Sequence, residues 1–256
     1  YPIQITSELW ETMYIDKVEL VAVDHPDSVD IFVDEKFSGP PFPGMKIYTV
    51  GEKHLPVSAT DAEGNDVLKY ISSKDDVYLG GFTPEKYQGI TEMRDLILDP
   101  GKIDKTKGFY LFLQGWIFPT DASINYALSQ NESLKVINPS VELVDRNGNW
   151  IKVNENIGFP MGKEKTVIVD LTGKFLSDDH RIRIRTNMEI YWDQIFWSDC
   201  STDVPVKTVV MDPIKADLHY RGFSKSFRKG GRYGPHWFDY NDVDTNWTWR
   251  DLTGYY

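Results

Sequence analysis

Arg181-Ile-Arg-Ile-Arg-Thr-Asn-Met-Glu-Ile-Tyr-Trp-Asp-Gln-Ile-Phe-Trp197 is the stretch whose reading decides the fold. Its first five residues alternate charged and apolar side chains, the period-two repeat of a strand with one buried face. Aromatic and β-branched residues fill most of the rest, and these suit a pleated, half-buried surface. The spacing predicts strands over 181–185 and 189–197, joined as a hairpin by a turn near Thr186-Asn187-Met188.

The same texture extends outward in both directions. Strands are expected over 17–23, 29–33, 46–50, 92–98, 109–117, 166–169, 206–210 and 216–223. Residues 55–71 and 141–153 each read as strand, Gly-centred turn, strand, the second around Asn147-Gly148, a strong hairpin signal. Three prolines and two glycines between Ser38 and Gly44 mark a loop. Only residues 120–130 read as a helix, with Thr120 or Asp121 as the cap. Many short strands with almost no helix predict an all-β protein, an antiparallel β-sandwich of jelly-roll type. The sandwich is expected over residues 1–204, followed by an extended tail, 205–256, rich in Gly, Arg and aromatic side chains. That tail is too short to hold a core of its own, so it is expected to pack on the sandwich or on a partner.

Composition narrows the function classes. The 256 residues carry 28 Lys plus Arg against 39 Asp plus Glu, a net charge of −11, which argues against tracking a nucleic-acid backbone. No apolar run approaches the ~20 residues of a membrane-spanning helix. The single cysteine, Cys200, excludes an internal disulfide framework and any multi-thiolate zinc site. HExxH, Walker, GxSxG and GxGxxG patterns are absent, and Ser226-Phe-Arg-Lys229 matches SxxK without its companion motifs. No catalytic residue is therefore assigned.

Three groups of residues are candidates for binding. Arg181, Arg183 and Arg185 share one strand face and need carboxylates, from this acidic chain or from an anionic ligand. Alternation through 189–197 puts Tyr191, Asp193 and Trp197 on one face too, with Trp192 and Phe196 on the other, as an aromatic-and-carboxylate platform for a glycan. On adjacent strands the two rows would form one ligand surface. In the tail, Arg221, Phe223, Arg228, Tyr233, Trp237 and Trp249 combine aromatic anchors with a local reversal of charge, the expected contact for a protein partner. Asp24, Asp27 and Asp30 around His25 offer hard oxygen ligands for Ca²⁺, although Asp-Pro turns are acidic for ordinary reasons as well.

Longer runs carry a family resemblance. Asp24-His-Pro-Asp-Ser-Val-Asp-Ile-Phe-Val-Asp34, residues 111–130, Gly158-Phe-Pro-Met-Gly-Lys163 and residues 185–193 are similar to the region after the propeller in bacterial FG-GAP/VCBS-repeat proteins, relatives of the ASPIC/UnbV group. Leu218-His-Tyr-Arg-Gly-Phe-Ser224 and Gly234-Pro-His-Trp-Phe-Asp-Tyr240 extend the likeness nearly to the end. The resemblance implies export to the periplasm, cell surface or medium and a role in adhesion or assembly within a larger extracytoplasmic complex. It brings no catalytic residue, and the calcium loops of the FG-GAP repeats are not visible in the chain. The expectation is thus a non-catalytic exported module that binds a partner protein or surface glycan. A polysaccharide hydrolase or lyase using Asp193 and Glu189 is the alternative.

Overall fold

A computed structural model describes residues 2–6, 14–40, 42, 44–200, 204 and 206–246. Strands dominate: β1 (Leu20–Asp24), β2 (Asp30–Val33), β3 (Ile47–Val50), β4 (Ser58–Thr60), β5 (Ile90–Asp99), β6 (Tyr110–Ile117), β7 (Ser140–Val144), β8 (Trp150–Asn154), β9 (Lys165–Asp170), β10 (Ile182–Met188), β11 (Ile190–Ser198), β12 (Lys207–Met211), β13 (Phe223–Arg228) and β14 (His236–Asp244). One α-helix, α1 (Ala122–Ser129), starts where Asp121 accepts the Ile124 N–H, the capping expected of that residue.

The chain divides into two compact units, Pro26–Val204 with Lys229–Pro235, and Tyr1–His25 with Pro205–Arg228 and His236–Tyr256. The larger unit is an antiparallel β-sandwich. One sheet has the order β4-β5-β10-β7-β8 and the other β11-β6-β9. Consecutive strands from β5 to β11 repeatedly change sheet, which is the jelly-roll habit. Leu96, Leu98, Val141, Leu143, Ile182 and Ile184 from the first sheet meet Leu111, Leu113, Val167, Val169, Trp192 and Ile195 from the second in one core. On every one of these strands except β11 they are alternate positions, so the period-two pattern is what builds most of the core.

The three-stranded sheet is also covered on its other face. The β2–β3 hairpin lays Phe32, Tyr48 and Val50 over Phe112, Ile168 and Phe196. Farther along that face, Tyr78, Phe82 and Tyr233 pack with Trp116 and Tyr191. Its edges are capped by single segments. His54 exchanges backbone hydrogen bonds of 2.9 Å with Trp197, and Glu35 donates at 2.8 Å to the Thr166 carbonyl. Strand addition along those stretches is thereby blocked.

In the smaller unit β1 pairs with β12, and β13 with β14. The expected division at residue 204 therefore changes at both ends, because β1 pairs with the C-terminal segment while Lys229–Pro235 packs with the sandwich. Two expected strands differ. Residues 68–70 form a 3-10 turn, whose first N–H is taken by Asp66, and the strand expected over 216–223 begins only at Phe223. β14 was not expected at all.

Candidate functional site

β11 does not alternate throughout. It pairs with β6 from Ile190↔Ile117 to Trp192↔Gly115, then from Gln194↔Gln114 to Ser198↔Tyr110, leaving Asp193 as an extra residue. A bulge of one residue reverses the facing of every side chain beyond it. Trp192, Ile195 and Trp197 accordingly enter the core between the sheets, while Tyr191 and Phe196 face the opposite way. The expected shared face of Tyr191, Asp193 and Trp197 is thus divided. Trp197 stacks on His54 at 4.2 Å and on Phe109 at 4.7 Å. Tyr191 stacks on Trp116 at 4.9 Å and on Tyr233 at 5.8 Å. Their ring faces are occupied by protein, which removes the sugar platform.

The 181–197 hairpin is corrected as well, since β10 and β11 belong to different sheets. Residues 186–188, expected as the turn, continue β10. The Asn187 side chain accepts from the Ile137 N–H at 2.7 Å and donates to the Lys135 carbonyl at 2.8 Å, and Thr186 donates to the Ile137 carbonyl at 2.7 Å. These bonds fasten the strand end to a neighbouring segment instead of folding it back. The arginine row therefore has carboxylate neighbours of its own. Arg183 donates to Glu142, its cross-strand partner, at 2.7 Å and lies 3.6 Å from Asp95. Arg185 reaches Asp95 at 3.1 Å, and Arg181 grips Asp179 at 2.6 Å. Trp150 covers Arg183 at 4.7 Å. Intrachain pairing is the arrangement adopted.

What the bulge creates is a different site. Among the described residues, one group of acids has the proximity to share a ligand: carboxylate oxygens of Asp76, Glu164 and Asp193 lie within 4.8 Å of one another. Asp193 is 1% exposed; its Oδ1 accepts from the Asp75 N–H at 3.2 Å, and its Oδ2 has no partner. Lys229 enters from the loop between β13 and β14 and sits 2.8 Å from Asp76 and 3.2 Å from Glu164. The Tyr78 hydroxyl donates to Glu164. Asp76 adopts φ 64°, in the left-handed region that Asp tolerates better than most residues. Gly230 is required opposite it, because an added Cβ would lie 2.1 Å from the Asp76 carbonyl oxygen.

Burial pushes the Asp193 carboxyl up to about 6, helped by the Glu164 charge and opposed by the backbone N–H groups of Asp75 and Asp76. Burial also raises the Tyr78 hydroxyl, with Glu164 adding to the effect. The hydrogen bond to Asp76 raises Lys229. Such a cluster can share a proton or hold a cation. The adjoining cleft, about 40 Å³ and lined by Lys74, Gln114, Glu164 and Thr166, is far below the ~300 Å³ of a small-molecule pocket.

Sequence reading singled out Asp193, met Lys229 only in the SxxK match of the basic tail, and missed Asp76, Glu164 and Tyr78. These come from distant segments brought together by packing, and no spacing links them. The other candidates lie elsewhere. Asp24, Asp27 and Asp30 are not part of the acidic group; Asp24 ends β1 in the smaller unit, and Asp30 pairs with Lys53 at 2.7 Å. Tyr233 belongs to the sandwich, where its carbonyl accepts from Trp116 Nε1 at 2.9 Å. Arg221 donates to Ser224 at 2.6 Å and to the Tyr240 carbonyl at 3.2 Å. Phe223 and Arg228 lie on β13, and Trp237 on β14 opposite Phe227. The charge reversal in the tail is met by β14, as in the Lys225–Asp242 pair at 3.3 Å. Trp249 lies outside the described residues.

Comparison with family models, curated proteins and solved structures finds no match for this chain. The functional reading therefore rests on the residues themselves.

Proposed function

We propose that this chain is a non-catalytic, extracytoplasmic binding module that docks a partner protein through its smaller unit. One observation carries the reading: among the described residues of that unit, no apolar side chain is buried. Val209 and Val210 of β12 stand in solvent, as do Ile214 and Leu218 in the segment that follows. An isolated two-stranded ribbon is marginal in water, and exposed strands with apolar faces are what a partner protein covers by strand addition or hydrophobic contact. The export suggested by the FG-GAP resemblance fits a role in a larger assembly outside the cytoplasm.

Neither alternative draws comparable support. A glycan surface would need free aromatic faces at Tyr191 and Trp197. A hydrolase would need carboxylates that a sugar can reach, whereas Asp193 is buried and Glu189 accepts the Tyr191 hydroxyl. The test is lysine crosslinking of the full chain isolated from its native source. Crosslinks from Lys207, Lys215 or Lys225 to one stoichiometric partner are expected. Crosslinks confined to sandwich lysines, or a chain that is monomeric at native abundance, would overturn the docking surface. Release of reducing sugar from a polysaccharide panel would overturn the non-catalytic part.

A further inference from the structure

The acidic group beneath the Lys229 loop has more oxygen than its surroundings use. Three carboxylates meet the Lys229 ammonium, a group of formal charge −2 when all three are ionised, with Lys74 and Lys165 lining the adjoining cleft. All three have partners: Asp76 and Glu164 accept from Lys229, Glu164 also accepts from Tyr78, and Asp193 Oδ1 accepts from the Asp75 N–H. Asp193 is different, for its Oδ2 is buried without a hydrogen bond although the residue is only 1% exposed. A buried, unpartnered carboxylate oxygen is costly unless something occupies the space in front of it.

The chemistry of the donors limits what that occupant is. All are oxygens, with no imidazole or thiolate, a set that selects hard cations over zinc or copper. Their mutual spacing of up to 4.8 Å can be spanned by an ion with oxygen distances of about 2.3–2.6 Å, which is the range of Ca²⁺. The cleft beside Glu164, lined also by Glu35, Lys74, Gln114 and Lys165, is large enough for water-sized species and reaches that one member of the group.

We propose that Asp76, Glu164 and Asp193 bind one hard divalent cation, best Ca²⁺, beside Lys229. The ion neutralises the residual charge of the group and supplies Asp193 Oδ2 with the partner it lacks; water completes the coordination.

The test uses the full chain after treatment with a chelator. Calorimetric titration with Ca²⁺, and with Tb³⁺ excited through Tyr78 and Trp116, whose rings lie 6.5 Å apart, is expected to give one site per chain. Saturation should raise Tm by about 4 °C or more, since a ligand that binds only the native state stabilises it. Asp193→Asn and Glu164→Gln should each weaken binding by about tenfold or more, because each removes a charged ligand. Asp30→Asn should leave it unchanged. Absence of heat and of Tb³⁺ luminescence up to about 10 mM, above the range of weak extracellular calcium sites, would overturn the proposal. So would affinity within about twofold of the parent in either acidic variant, and should one variant fail to fold, the other decides.

Discussion

In the larger unit, Leu111, Leu113, Val167 and Val169 are almost wholly enclosed, while in the smaller one Leu20, Val209 and Val210 of equally strand-like segments remain in solvent. Local sequence does not separate these strands, since both regions are antiparallel and β1 and β12 are as rich in Val and Leu as the sandwich strands. The difference is the number of layers. A strand pair encloses side chains only when another layer lies on its apolar face, and the sandwich supplies that layer from its own chain. The smaller unit has β1 on β12 and β13 on β14 as separate pairs. Similar strands thus give self-sufficient stability in one region and a demand for company in the other.

The sharpest way to break this contrast is in the sandwich. Phe112 is fully buried and stacks on Phe196 at 4.7 Å with an interplanar angle of 5°. Phe112→Ala should cost about 3–5 kcal/mol in urea or thermal unfolding, and a loss below about 1 kcal/mol would refute the account of that layer. Next in size is Arg183→Met, expected to cost about 2–4 kcal/mol by stranding Glu142 and depriving Asp95. Adding Glu142→Leu should recover much of the loss, whereas a purely additive double variant would show that the ion pair is not the cause.

Asp193→Asn is predicted to act in the opposite direction. Its folded pKa of about 6 lies above the ordinary carboxylate value, so the native state holds the proton longer than the unfolded chain. Stability of the parent chain, in chelator, should therefore fall as pH rises from about 4 to about 6 and then level off. Asn has no proton to lose, so the variant should be more stable by about 2–3 kcal/mol above pH 6, with the gain fading toward pH 4. Equal stability of variant and parent across this window would contradict the assignment. The smallest effect belongs to the other unit. Ile214→Ser with Leu218→Ser should change unfolding free energy by no more than about 0.5 kcal/mol, since both side chains are fully exposed. A larger loss would mean that they pack within the isolated chain.

How much of this the sequence disclosed follows from the range of the forces involved. Period-two alternation is local, so most strands of the sandwich, the Asn147-Gly148 turn and the Asp121 cap were legible, while β14 was not. The carboxylate requirement of the arginine row was legible as well, though its partners were not, because Asp95 and Glu142 become neighbours only through sheet order. The bulge at Asp193 was hidden, since nothing between Glu189 and Trp197 states that β6 has one residue fewer opposite it. That omission placed Trp197 and Tyr191 on one face and concealed the acidic group. Asp76, Glu164 and Lys229 meet Asp193 only through tertiary packing, which no local pattern records.

The loop Lys229–Pro235 has a consequence for how the chain tolerates editing. A hairpin tip is ordinarily the safest place to insert a peptide tag or a protease site, because it protrudes and little depends on it. Here the tip between β13 and β14 is partly embedded: Gly230–Arg232 are exposed, but Gly234 and Pro235 are buried, Gly80 has no room for a Cβ beneath the Tyr233 ring, and Gly230 lies against Asp76. Insertions beside Gly230 or at Gly234 and Pro235 should be damaging to folding, whereas foreign sequence around Ile214 and Leu218 should leave the fold intact while covering the proposed docking surface. Along this ribbon the tip serves folding and the exposed stretch serves docking, so a label at either place tests a different property of the chain.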